Sequence, residues 1–188
     1  MRETLRFVAQ AVTRFRATGA VVPSSRRLAR AMLAELGPLD PGAVIIELGP
    51  GTGVFTRELV ERFPGHPVVA VEFNRQFAER LRAALPRVHV IEGCASQLRQ
   101  HLARLNLRPE QVGAVISGLP LLSLPRDLGD RIWSSIGEVL RPGRRYVQFT
   151  YARGPWRERR PPGFHPARSR RVWMNLPPAV VLPFERAA

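Results

Sequence analysis

Apolar residues recur through residues 1–17 at Leu5, Val8, Val12 and Phe15, with Met1 and Ala9 on the same side. Arg2, Arg6, Gln10, Thr13 and Arg14 lie opposite. This spacing predicts an amphipathic helix over 1–17, ended by Gly19. Pro23-Ser24-Ser25 offers a cap for a second helix over about 26–36, which Gly37-Pro38 stops. From Val44 the period changes. The continuous apolar run at 44–48 reads as a buried parallel strand, and 68–72, 88–92, 112–117 and 146–151 read as four further strands. Helical segments over 54–63, 74–85, 96–105 and 127–140 stand between them, with Asn74 as a cap and Pro64 and Pro86 as stops. Two closing strands are read at 172–176 and 180–184, around Asn175-Leu176-Pro177-Pro178. Residues 154–169 are rich in Pro, Gly and Arg, have no period, and read as a long loop. Strand and helix alternate as far as residue 151, which predicts an α/β fold: a doubly wound, mixed seven-stranded sheet with helices on both faces. The expected organisation is an N-terminal helical segment, 1–36, ahead of one domain, 37–188.

Charge changes the picture more than composition does. The 188 residues, 45% hydrophobic and 23% charged, are ordinary for one globular domain. The formal net charge of +14 is not ordinary, and every basic residue is Arg. Residues 1–30 hold seven Arg and one Glu, and residues 141–171 hold ten Arg and one Glu. Residues 31–140 balance eleven Arg against twelve acids. Two basic blocks therefore flank a near-neutral centre, which implies an anionic partner: nucleic acid, an anionic membrane surface or an acidic ligand. The single cysteine, Cys94, excludes an internal disulfide and suggests a reducing compartment. No apolar stretch reaches the roughly 18 residues of a spanning helix. The expectation is a cytoplasmic protein, soluble or peripherally attached, with no metal.

The densest chemistry is Glu47-Leu48-Gly49-Pro50-Gly51-Thr52-Gly53, between the first strand and a helix. Glycines there let the chain turn sharply and let a ligand approach the main chain. A dinucleotide fingerprint needs a third glycine where Val54 stands, and a phosphate-binding P-loop needs a Lys, which the chain lacks. Glu72 ends the second strand, 19 residues after Gly53, where a carboxylate can accept from two ribose hydroxyls. The plain alternatives are a tight turn without a ligand and an exposed acid at a strand end. The E-x-G-x-G-x-G pattern resembles the first motif of Rossmann-like class I methyltransferases that use S-adenosylmethionine (SAM). The resemblance implies that Glu47, Gly49, Pro50, Gly51, Thr52 and Gly53 hold SAM, with Glu72 on the ribose and Phe73 beside it. It also places Gly93, Cys94, Ala95 and Ser117 on the cofactor, leaving S-adenosylhomocysteine as product. Cys94 stands where the class usually has an Asp that receives the adenine amino group. A thiol is a poor acceptor, so that contact passes to the main chain, Ser96 or Gln97, or Cys94 is simply structural.

Ser117-Gly118-Leu119-Pro120-Leu121-Leu122 ends the fourth strand, where the class presents its methyl acceptor. It is similar to two families. In rRNA adenine dimethylases the motif is N-[LI]-P-[YF], and the aromatic stacks the target base; Leu121 has no such face. The second family is the bacterial phospholipid N-methyltransferases of the Rhodobacter/Agrobacterium type. That resemblance runs through residues 19–25, 47–55, 118–121, 148–151 and 171–179. It implies methyl transfer from SAM to the amine of phosphatidylethanolamine and its methylated derivatives, towards phosphatidylcholine. The partners expected are that lipid and an anionic membrane surface, with no nucleic acid or protein partner. Ser117 and Gly118 carbonyls and the Tyr151 hydroxyl are the candidates to hold the amine. Arg153 suits the lipid phosphate. Ser24 and Ser25 belong to the substrate side, and Asn175 either bonds the headgroup or caps the last hairpin. His165 is a base or a surface residue. The 1–17 helix either lies on the membrane or packs on the core, and the 154–171 block, with Trp156 and Phe164, is a second membrane contact or a solvated loop. The enzyme is then expected at the inner face of the cell membrane.

Overall fold

The computed structural model describes residues 25–121, 124–151, 160–175 and 177–188. The helix expected over 1–17, together with Ser24, Arg153 and Trp156, lies outside them. Helix α1, Arg26–Leu33, begins at Ser25, whose Oγ accepts from the Leu28 N–H at 3.1 Å. Such a cap stabilises a helix by about 1 kcal/mol. The alternation then follows as β1 Val44–Leu48, α2 Val54–Arg62, β2 Val68–Glu72, α3 Arg75–Ala84, β3 His89–Glu92 and α4 Leu98–Arg104. It continues with β4 Val112–Ser117, α5 Arg126–Val139 and β5 Arg145–Thr150. Three strands close the chain: β6 Phe164–Pro166, β7 Arg170–Val172 and β8 Ala179–Arg186.

The sheet runs β3-β2-β1-β4-β5-β8-β6, with β7 also paired to β8. Strands β1 to β5 are parallel, and β8 is antiparallel to β5, β6 and β7. The expected mixed sheet thus has eight strands. The added one is β6, three residues within the stretch read as a loop; so short a strand has no detectable period. The closing pair also sits differently. The penultimate strand ends at Val172, and the last one starts at Ala179, so Asn175 lies in the turn between them.

Side chains of β1 alternate between two cores. Val44, Ile46 and Leu48 pack with Leu98, Leu102, Ile132, Trp133 and Ile136 of α4 and α5. Ile45 packs with Leu28, Met32, Leu33, Phe55, Leu59 and Leu81 of α1, α2 and α3. Each fully buried Leu or Ile contributes roughly 1.5–3 kcal/mol of burial. The α1 segment is thus built into the sheet's second face. Strand order reverses between β1 and β4, and the carboxyl ends of those two strands open the crevice where such sheets bind ligands. Among the described residues, no helix is long and apolar enough to cross a membrane.

Candidate active site

The β1–α2 turn forms the floor of this crevice. Gly49, Gly51 and Gly53 have φ of 68°, 57° and 78°, which residues with a Cβ rarely adopt. A Cβ at Gly49 would also collide with Leu119, and one at Gly118 would lie 2.8 Å from the Gly49 carbonyl. Backbone bonds fix the turn: Gly53 N–H donates to Pro50 O at 2.9 Å, and Gly118 N–H to Leu48 O at 2.8 Å. Arg57 Nη1 holds the Thr52 carbonyl at 2.9 Å.

Two carboxyls face this turn and behave differently. Glu72 is buried at the end of β2 and accepts from Gly51 N–H at 3.0 Å and Asn74 N–H at 2.8 Å. Each of its oxygens keeps a lone pair for a ligand. Glu47 is wholly buried, and neither of its oxygens has a hydrogen-bond partner. Burial pushes its pKa up to about 8; the nearby Thr56 hydroxyl opposes the shift and the Glu72 charge adds to it. An orphaned buried carboxyl beside a glycine cradle is an acceptor waiting for a donor.

At the end of β3, Gly93 N–H donates to Glu72 O at 3.0 Å. Cys94 Sγ lies 3.1 Å from Ser96 Oγ, so the serine hydroxyl named as a substitute acceptor is already engaged with the thiol. Ala95 is buried in the core, and Gln97 is exposed. The sequence reading missed His101. Its buried ring meets the Cys94 carbonyl through Nε2 at 2.9 Å, and a Cβ at Gly93 would come within 2.5 Å of the ring. Burial lowers its pKa, which favours the neutral imidazole, and its Nδ1 has no hydrogen-bond partner. Its only signal in the sequence was its place between Leu98 and Leu102 on the buried side of α4.

On the acceptor side, Ser117 is buried opposite Leu48, and its Oγ accepts from Leu119 N–H at 3.2 Å. Leu121 is buried in the α4–α5 core, so its side chain does not line the crevice as a stacking surface. Tyr151 follows β5. Its ring meets Phe149 edge-on at 5.2 Å, and Phe149 meets Phe55 of α2 edge-on at 5.7 Å. Three residues expected on the substrate side meet at one amide. Asn175 Oδ1 accepts from Ser25 Oγ at 2.8 Å and from Ser25 N–H at 3.3 Å. Its Nδ2 donates to Pro177 O at 2.7 Å and to Tyr151 Oη at 3.5 Å. All four hydrogen-bonding positions of this buried amide are filled from within the protein. Tyr151 keeps its O–H and one lone pair. His165 is exposed on β6, apart from this cluster.

The family described as ribosomal RNA adenine dimethylase matches residues 26–97. An ornithine lipid N-methyltransferase of Singulisphaera acidiphila is 33% identical over 144 residues, covering 74% of this chain and 72% of the relative. Ribosomal RNA small subunit methyltransferase A of Thermosynechococcus vestitus is 32% identical over 119 residues, covering 61% of this chain and 40% of that protein. Among solved structures, TrmN from Thermus thermophilus superposes with a TM-score of 0.68 at 21% identity, over 85% of this chain and 48% of that one. This chain therefore spans less than half of those two longer proteins.

Proposed function

The chain belongs to the class I SAM-dependent methyltransferases, in the family of the Singulisphaera ornithine lipid N-methyltransferase, and from that premise we propose that its acceptor is the amine of a membrane-lipid headgroup. Phosphatidylethanolamine is the first candidate, methylated towards phosphatidylcholine.

The residues present suit the cofactor. Glu47 is a buried acceptor without a donor, Glu72 has lone pairs to spare, and the turn at Gly49, Gly51 and Gly53 has no room for side chains at its tightest points. Glu72 would hold the ribose hydroxyls, and Glu47 would meet the ammonium end. Bound SAM supplies a methyl group already activated by its sulfonium, which leaves the protein chiefly the task of placement.

The acceptor side then has two tasks. It must orient the amine and favour its neutral form, because an ammonium has no lone pair with which to attack. The apolar Phe55–Phe149 contact beside Tyr151 disfavours a charged amine by desolvation. Tyr151, with Asn175 on one lone pair, can accept from the amine or donate to the lipid phosphate. Carbonyls of Ser117 and Gly118 complete the amine cradle in this reading, and Arg153 meets the phosphate. Residues 1–17 supply a further contact with the bilayer surface.

One observation carries the choice of lipid over RNA. The match to the lipid enzyme covers 74% of the chain, a stretch so long that it must run through Gly118-Leu119-Pro120. The rRNA family model matches only residues 26–97, and the rRNA relative covers 61% of the chain against the lipid enzyme's 74%. The buried Leu121 adds to this, since it leaves that position without a stacking ring. The test uses the purified chain with methyl-labelled SAM and, in separate reactions, phosphatidylethanolamine micelles, ornithine lipid micelles and rRNA. Label in mono- and dimethylated phosphatidylethanolamine is the expected result. Label in ornithine lipid alone would move the substrate within the class, and label in adenine would overturn the lipid reading.

A further inference from the structure

The described surface has two exposed large hydrophobic side chains, and they are neighbours. Trp173 is 68% exposed and Met174 is 73% exposed, at the tip of the turn between β7 and β8. Surface apolar residues scattered singly need no explanation, but adjacent Trp and Met at a projecting turn do.

The turn is held in place. Its next residue, Asn175, is buried, and its amide is bonded to Ser25, Pro177 and Tyr151. This anchors the chain directly after the exposed pair. The immediate neighbours are cationic. Arg171 lies over the Trp173 ring at 4.8 Å, and Arg27 of α1 contacts the Met174 sulfur. Residues 24–34 and 160–175 contain no Asp or Glu. An indole and a thioether flanked by two guanidinium groups match the layered chemistry of a bilayer interface. Trp favours the headgroup level, where its ring is apolar and its N–H is wet. Arg keeps its charge at the phosphates while its stem covers apolar surface. Nucleic acid would satisfy the guanidinium groups but gives a Met side chain nothing to enter.

We propose that the β7–β8 turn, with Trp173 and Met174 between Arg27 and Arg171, is an insertion tip that docks the protein on anionic phospholipid bilayers. The proposal rests on the lipid reading above, since a headgroup acceptor has to be reached at a bilayer. It goes beyond that reading by naming the surface. It also fixes an orientation: Asn175 joins the tip to Tyr151, so docking the turn brings the substrate side of the crevice to the headgroups.

The test uses the full chain with Trp156→Phe. Trp133 is buried, so Trp173 is then the exposed reporter. Phosphatidylcholine vesicles with and without phosphatidylglycerol, and single-stranded RNA, are the probes. With anionic vesicles, Trp173 emission should shift to the blue and be quenched by lipids brominated in the acyl chain. W173A/M174A should lower vesicle partitioning at least about ten-fold, and Arg171→Gln roughly five-fold. SAM affinity should be unchanged in both. Wild-type partitioning by W173A/M174A would overturn the tip, as would a Trp173 response to RNA but not to vesicles. Methylation of phosphatidylethanolamine in detergent micelles separates the two ideas. If it persists while the tip variant still binds vesicles, the surface is wrong and the acceptor right. If no lipid is methylated but vesicle binding still needs Trp173, the acceptor is wrong and the surface stands.

Discussion

The Glu72 carboxylate accepts a hydrogen bond from the Gly51 N–H at 3.0 Å, which ties the end of β2 to the glycine turn that follows β1. The same carboxylate also holds Asn74, the cap of α3. One side chain thus shapes the turn and remains available to a ligand. Glu72→Ala should lower SAM affinity by about a hundred-fold or more, since each hydrogen bond to a charged group is worth roughly 1.5–3 kcal/mol. Titration calorimetry measures it; an affinity within a few-fold of wild type would remove the ribose role.

Gly118 and Gly65 make a matched pair. A Cβ on Gly118 would press on the Gly49 carbonyl, a backbone atom, whereas one on Gly65 meets nothing within 4 Å. Gly118→Ala should shift the glycine turn and abolish measurable SAM binding. Gly65→Ala should leave binding intact and stability within about 0.5 kcal/mol. Equal behaviour of the two would show that the close approach of β4 to the turn is unimportant.

Asn175 and Tyr151 separate stability from turnover. Asn175→Ala strands the Ser25 and Pro177 partners and should cost about 2–3 kcal/mol in chemical denaturation. Tyr151→Phe removes only one long bond, so stability should hold while kcat for lipid methylation falls. Unchanged turnover of all three methylation steps in Tyr151→Phe would end its polar role.

Glu47 predicts a pH dependence. Its pKa rises from 4.5 in the unfolded chain to about 8 in the folded protein. Between these values the folded state holds the extra proton. Stability linked to this group is therefore fully present below about pH 4.5, declines as pH rises, and is fully lost above about pH 8. Glu47→Gln stays neutral throughout. Without SAM it should melt above wild type at pH 8, with the gap closing towards pH 5. A gap that does not vary with pH would mean that Glu47 ionises normally.

The strand and helix order was legible because apolar runs and stop residues such as Pro64 and Pro86 are local signals. Glu72 was legible by its place at a strand end, but its bond to Gly51 was not, because that depends on two strands pairing side by side. Ser25, Tyr151 and Asn175 were each picked out, yet their meeting was hidden: Ser25 and Asn175 are 150 positions apart. His101 looked like one more position on a helix. The close packing of its ring against Gly93 and its contact with the Cys94 carbonyl distinguish it. β6 was missed because its pairing with β8 is decided by β8, not by its own three residues.

The reversal of strand order between β1 and β4 divides the molecule by task. The acid and glycine positions offered to the cofactor fall between β1 and β3, within the stretch matched by the rRNA family. The groups offered to the acceptor fall on β4, β5 and the turns beyond. A lineage built this way can exchange one methyl acceptor for another by rewriting the later half of its chain. The earlier half is then what this one short sequence has in common with enzymes of lipid and of RNA at once.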